Sequence, residues 1–258
     1  MPSADDLAVM DSFRLDGKRA LVTGASKGIG RACATAMAAA GAEVTLAARS
    51  QAELDATVAM LRGRGLKAHA LALDVTDSAA VKREIAAAGP FDLLFNNAGV
   101  NRPKPFLEMD EETIDWLLDV NVRAAYIVAQ AVARGMVAQG KGGAIVNMSS
   151  QMGIVGGVGR SVYCATKHAV EGMTKAMALE LAEHDIRVNS VGPTFIETPM
   201  TAAAFGDPQR RAEILARIPL GRPGQVADVC GAVVFLCSPA ASMITGTLLL
   251  VDGGWTAQ

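Results

Sequence analysis

The chain has 258 residues, with 24 Lys+Arg against 26 Asp+Glu, and 51% of its residues are hydrophobic against 19% charged. That apolar content excludes a disordered chain, and the balanced charge lacks the basic excess of a nucleic-acid binder. No apolar run approaches the ~20 residues that span a bilayer. Residues 1–18 carry Asp5, Asp6, Asp11 and Asp16 where a secretion signal has its apolar core. The expected location is cytoplasmic, with neither membrane nor nucleic acid as partner. Cys33, Cys164, Cys230 and Cys237 form no CxxC pair, and His69, His168 and His184 are scattered, so no metal site is expected.

An N-terminal extension, residues 1–15, is expected to be mobile or seated on a neighbour, and residues 16–258 read as one domain. Strand and helix signals then alternate. Lys18 to Gly24 is a buried strand and Gly28 to Ala40 an Ala-rich helix. Glu43 to Ala48 is a strand, Gln51 to Arg62 a helix, Lys67 to Leu73 a strand and Ser78 to Ala88 a helix. Phe91 to Phe95 is the fourth strand. One long helix follows from Glu111 to Val137, with Ile114, Leu117, Leu118, Val122 and Ala125 at helical spacing. Ala144 to Met148 is a strand, Val162 to Glu183 a helix and Arg187 to Val191 a strand. After an irregular, partly helical stretch from Pro193 to Pro223, a helix over Val226 to Cys237 leads to the last strand, Thr247 to Val251. Strands that are apolar throughout, separated by helices, predict an α/β domain with a parallel sheet covered on both faces. Right-handed crossovers give it the doubly wound order 3-2-1-4-5-6-7.

The first strand ends in Thr-Gly-Ala-Ser-Lys-Gly-Ile-Gly, residues 23–30, which opens directly into a helix. Gly24 permits the tight turn, Gly28 lets the backbone approach a pyrophosphate, and Gly30 allows close helix–strand packing. The helix N-terminus then offers unpaired N–H groups and partial positive charge to phosphate. A glycine loop in this context reads as a dinucleotide site.

Its spacing is G-x-x-x-G-x-G rather than G-x-G-x-x-G. With Asn-Asn-Ala-Gly at 96–99 and Tyr-Cys-Ala-Thr-Lys at 163–167, the chain from about Phe13 to Trp255 resembles the short-chain dehydrogenase/reductase family. The resemblance implies a single Rossmann-type domain that binds a nicotinamide cofactor through Gly24, Ser26, Lys27, Gly28, Ile29 and Gly30. It also places Asp74 and Val75 at the adenine, and Asn96, Ala98 and Gly99 along the cofactor. Pro193, Ile196 and Thr198 then meet the nicotinamide, although Thr194 stands where the family usually has glycine. At the end of the second strand, where an acid would bind the ribose 2′-OH of NAD, the sequence reads Ala48-Arg49-Ser50. Arg49 can pair with a 2′-phosphate, and Lys27 adds a second cation, so NADP(H) is the expected cofactor and NAD(H) the alternative.

Tyr163 and Lys167 are i and i+4 and share a helix face. A nearby ammonium favours the phenolate, which makes tyrosine usable as a proton-transfer group. Ser150 lies thirteen residues before Tyr163, at the family spacing, and Asn121 completes the tetrad that the resemblance implies. In that reading Tyr163 is the general acid/base, Ser150 bonds the substrate oxygen, Lys167 lowers the tyrosine pKa and holds the nicotinamide ribose, and Asn121 supports a water. The expected reaction interconverts a secondary alcohol and a ketone. Asn101, Arg102, Gln151 to Gly153, Phe195 and the segment from Thr198 to Ala216 are the expected pocket, with Arg102 a candidate for a substrate carboxylate or phosphate. Glu183, His184 and Asp185 lean away from an acidic carrier protein, so a sugar, polyol or hydroxy acid is preferred over a 3-oxoacyl-carrier-protein substrate. A catalytically inactive nucleotide-binding or scaffold protein is the reading of another class. The resemblance further implies a homotetramer, with Val233, Phe235, Leu248 and Leu250 offered to one contact.

Overall fold

The computed structural model describes residues 9–257. Seven parallel strands form one sheet in the order β3-β2-β1-β4-β5-β6-β7. They are β1 (Arg19–Thr23), β2 (Glu43–Ala48), β3 (Ala68–Ala72), β4 (Leu93–Asn96), β5 (Gly143–Met148), β6 (Ile186–Pro193) and β7 (Leu248–Val251). The expected topology is the observed one. The order reverses between β1 and β4, which are hydrogen-bonded neighbours with Ala20 opposite Leu93. At such a switch point the loops leaving the strand ends diverge and leave a crevice.

Because successive strand side chains point to opposite faces, each strand feeds two cores. Ala20, Val22, Val44, Leu46 and Phe95 meet α1 (Gly28–Ala39), α2 (Gln51–Arg62) and α9 (Val226–Cys237) on one face. Leu21, Ala47, Leu94 and Ile145 meet α3 (Ser78–Ala88), α5 (Ala125–Gln139) and α6 (Ser161–Leu181) on the other. Asp77 caps α3 by accepting from Ala79 N at 3.0 Å and Ala80 N at 2.9 Å.

Two sequence expectations change. The long helix is not continuous: α4 (Glu111–Leu118) and α5 are joined by a π-helical segment, Asp119–Ala124. The stretch after Pro193 is partly helical as expected, with two short helices, α7 (Ala202–Gly206) and α8 (Pro208–Leu215). Of the N-terminal extension, residues 1–8 lie outside the described residues, but the remainder docks on its own chain. Phe13 stacks on Phe235 of α9 at 5.9 Å and Leu15 is buried, because these apolar side chains find the open end of the first core. Val233, expected at a subunit contact, is buried in that same core, whereas Leu248 and Leu250 are half-buried on the edge strand. No helix among the described residues is long and apolar enough to cross a membrane, and none of their acidic, His and Cys side chains cluster as metal ligands.

Candidate active site

A cavity of about 900 Å³ opens outside the carboxyl ends of the strands. The turn after β1 forms its first wall. Gly24 and Gly28 have φ of +63° and +57°, a conformation that a side chain strains. A Cβ on Gly24 would stand 2.9 Å from Asn97 Nδ2 and 3.0 Å from Ala98 Cα, so only glycine lets this turn pack on the loop after β4. Gly24, Ser26, Lys27, Gly28, Ile29 and Gly30 all line the cavity at the start of α1. This bare backbone fits a dinucleotide pyrophosphate.

Arg49 follows β2, and Ser50 caps α2 by accepting from Glu53 N at 3.4 Å. Arg49 and Lys27 are exposed lining residues, and neither forms an ion pair among the described residues. Two cations and a hydroxyl-capped helix end thus stand where the acid of an NAD site is missing. Asp74 and Val75 also line the cavity. Hydrogen bonds from Thr76 N and Oγ1 to Asp74 Oδ1, at 3.0 and 2.8 Å, hold that carboxyl below its ordinary pKa, with Arg49 adding its charge.

Ser150, Tyr163 and Lys167 converge on the cavity wall. Ser150 Oγ accepts from Met152 N at 3.1 Å, which leaves its hydrogen for another partner. Burial pushes the Tyr163 hydroxyl above its usual pKa, opposed by its hydrogen bond with Ser150 and then by the charge of Arg160. Lys167 Nζ donates to Met148 O at 2.8 Å and lies 5.6 Å from the Tyr163 ring centroid. Burial pushes Lys167 down to about 8, partly offset by the Glu171 carboxylate, which accepts from Ser190 Oγ at 2.9 Å.

Asn121 sits in the π-helical segment and lines no part of the cavity. Its Oδ1 accepts from Val100 N at 2.8 Å, and its Nδ2 donates to Val100 O at 2.9 Å and Thr166 Oγ1 at 3.3 Å. A Cβ on Gly99 would stand 3.2 Å from Asn121 Oδ1 and 3.7 Å from Lys167 Nζ, so the three crowd together beneath the site. Ala98, Gly99, Pro193, Ile196 and Thr198 line the cavity as expected.

Besides Asn121, three expected residues, Asn96, Arg102 and Gly153, lie off the cavity wall. Asn96 points off the sheet toward α5, where its Nδ2 donates to Ala125 O at 2.8 Å and Asn147 Oδ1 at 3.2 Å. As the last residue of β4 it faces the helix layer, and it is Asn97, one residue on, that reaches the cavity. Arg102 turns away, donating to Thr113 Oγ1 at 3.3 Å with its guanidinium 4.5 Å from the Trp116 ring centroid. Arg160, just before α6, and Arg210, on α8, line the cavity instead. Nothing in the glycine-rich run 156–159 marks the arginine that follows it. Asn101 Oδ1, Ser149 Oγ, Gln151 Oε1 and Thr194 Oγ1 are buried without hydrogen-bond partners, and all four residues line the cavity.

The model of the family described as enoyl-(acyl carrier protein) reductase matches residues 24–256. L-xylulose reductase of Bos taurus is 48% identical over 245 residues, 95% of this chain and 99% of that protein. Among solved structures, a gluconate 5-dehydrogenase from Burkholderia cenocepacia J2315 in complex with NADP and tartrate aligns with a TM-score of 0.93. It is 36% identical and covers 96% of this chain and 99% of that one. A short-chain type dehydrogenase/reductase from Mycobacterium marinum aligns with a TM-score of 0.90 at 40% identity, covering 97% of this chain and 100% of that one. Motif order, sheet order and full-length similarity agree: the chain belongs to the short-chain dehydrogenase/reductase family.

Proposed function

We propose that the protein is an NADP(H)-dependent oxidoreductase that interconverts a secondary alcohol and a ketone on a sugar, polyol or hydroxy acid. The observation that carries this reading is the convergence of Ser150, Tyr163 and Lys167 on the cavity into which the glycine loop opens. Similarity to an L-xylulose reductase and to a gluconate 5-dehydrogenase crystallised with NADP supports the cofactor and the polyhydroxylated substrate. When bound, NADP(H) supplies or takes the hydride. The chain itself supplies position and proton traffic.

In the reductive direction the Tyr163 hydroxyl gives its proton to the substrate oxygen as the carbonyl becomes an alcohol. Ser150 Oγ, already an acceptor from Met152 N, directs its hydrogen to the same oxygen. Oxidation returns the proton by the same path. Lys167, fixed by Met148 O, places its ammonium beside the tyrosine and toward the nicotinamide ribose, and Asn121 anchors the loop that Gly99 and Val100 form. Asn101 and Thr194, with buried oxygens left unpaired, offer hydrogen-bond acceptors to a hydroxyl-rich ligand.

The four free cysteines suit a reducing, cytoplasmic compartment. A homotetramer is part of the same reading, built on the apolar faces of α4–α6 and on the β7 edge. The test is NADPH consumption with a panel of ketoses, keto-aldonates and 3-oxoacyl thioesters, each repeated with NADH. Turnover of polyhydroxylated ketones with NADPH favoured over NADH is the expected result. Turnover confined to the acyl thioesters, or no turnover with any carbonyl, would overturn it.

A further inference from the structure

Arg160 is half-buried in the cavity wall beside the tyrosine, and no carboxylate among the described residues lies within ion-pair distance of it. Its guanidinium lies over an aromatic face instead, 5.8 Å from the Phe195 ring centroid. Phe195 is itself held by Trp255 at 5.7 Å and Phe205 at 6.4 Å, so the arginine rests on a fixed aromatic platform. A desolvated guanidinium without an anion is costly, and its planar fork matches a carboxylate.

The surrounding charge has one sign. The acids lining the cavity are Glu53, Asp74 and Asp119. Glu53 and Asp74 follow β2 and β3, on the Arg49 side, and Asp119 is paired with Arg123 at 3.2 Å. Beside Tyr163 stand Arg160, Lys167 and, from α8, the exposed Arg210, which acts on Arg160 as a like charge. Gln151 Oε1 and Thr194 Oγ1, both buried atoms, present neutral polar groups on the same wall.

We propose that Arg160 is the anion-recognition residue of the substrate pocket, and that the substrate is an open-chain polyhydroxy carboxylate rather than a neutral sugar or polyol. This rests on the oxidoreductase reading above and narrows its substrate class. A second consequence follows from the same guanidinium. Arg160 opposes the burial that raises the Tyr163 pKa, so a carboxylate bound to it cancels that help. With a carboxylate substrate the tyrosine therefore stays protonated to higher pH than with a neutral one. The other groups facing Tyr163 are Ser150, Cys164 and Lys167, and none of them differs between the two substrates.

The test compares a keto-aldonate, the neutral ketose of equal length and that ketose's phosphate ester, with NADPH, in the wild type and in Arg160→Gln and Arg160→Lys. The wild type should prefer the keto-aldonate over the neutral ketose by at least about tenfold in kcat/KM. The glutamine variant should lose about ten- to a hundredfold of that preference, chiefly through KM, as expected for one charge-assisted hydrogen-bond pair. The lysine variant should keep part of it. In wild type the alkaline limb of kcat should lie at higher pH for the keto-aldonate than for the ketose, and the limbs should coincide in Arg160→Gln. A purely structural arginine would move neither the preference nor the separation of the limbs. Equal wild-type kcat/KM for acid and ketose, preference for the phosphate ester, or an unchanged preference in Arg160→Gln would overturn the Arg160 assignment alone. Failure of the wild type on every ketone would overturn the oxidoreductase reading as well.

Discussion

At the scale of single residues, the cofactor rests on what replaces a missing acid. Ala48 ends β2 where a carboxylate would repel a 2′-phosphate, and Arg49 follows it, exposed and outside any ion pair among the described residues. Arg49→Asp exchanges the attracting charge for one that repels phosphate and accepts from a ribose 2′-OH. Losing a charge-assisted bond of about 1.5–3 kcal/mol should weaken NADPH by roughly ten- to a hundredfold, with repulsion adding to it. NADH binding should hold or tighten, so the preference inverts. Dissociation constants for both reduced cofactors in wild type and variant decide it, and a variant that shifts both equally would leave Arg49 as a solvated charge. Residue type and spacing brought Ser150, Tyr163 and Lys167 within reach of the sequence, because they lie on a motif of fixed length. Arg102 and Arg160 show where that stops. Both are arginines in irregular chain, and only the packing of Trp116 under one and Phe195 under the other decides which lines the cavity.

At the scale of elements, the strands were legible because a buried parallel strand is an uninterrupted apolar run. The π-helical segment was not. Leu117, Leu118, Val122 and Ala125 keep helical apolar spacing across it, so the sequence pattern passes through the segment without a break. The segment earns its place through Asn121, whose amide clamps both Val100 N and Val100 O and thereby fixes the loop after β4 beside Lys167. Asn121→Ala would leave those two groups without their partners. Each buried orphan costs about 1–3 kcal/mol, so the urea midpoint should fall by an amount corresponding to about 2–6 kcal/mol in total. Turnover should drop further than the lost stability explains, because the Gly99–Val100 loop borders the cavity. Equilibrium unfolding followed by tryptophan fluorescence, together with steady-state kinetics on the folded variant, separates the two effects. Asn121→Ala with unchanged midpoint and unchanged kcat would mean that the clamp contributes nothing.

At the scale of the whole molecule, two cores flank one sheet, yet large apolar side chains remain outside both. On the helix layer that carries Tyr163, Leu118 is 42%, Tyr126 52% and Leu179 81% exposed. On the opposite edge the β7 strand has no further neighbour, Leu248 and Leu250 are half-buried, and Met243 is 97% exposed. An edge strand with apolar side chains and a helix face of the same character are liabilities in a monomer, and the proposed tetramer would cover both. Two separate patches suit two different two-fold axes, which is the requirement for a tetramer of dihedral symmetry. Leu179→Glu places a charge on the exposed apolar face of α6 and leaves β7 untouched. It should halve the assembly, giving dimers joined through β7. The side chain is exposed in the single chain, so the helical signal in far-ultraviolet circular dichroism should not change. Sedimentation equilibrium at micromolar concentration measures both masses. A monomeric wild type would refute the assembly itself, and a variant that stays tetrameric would remove the α4–α6 face from it.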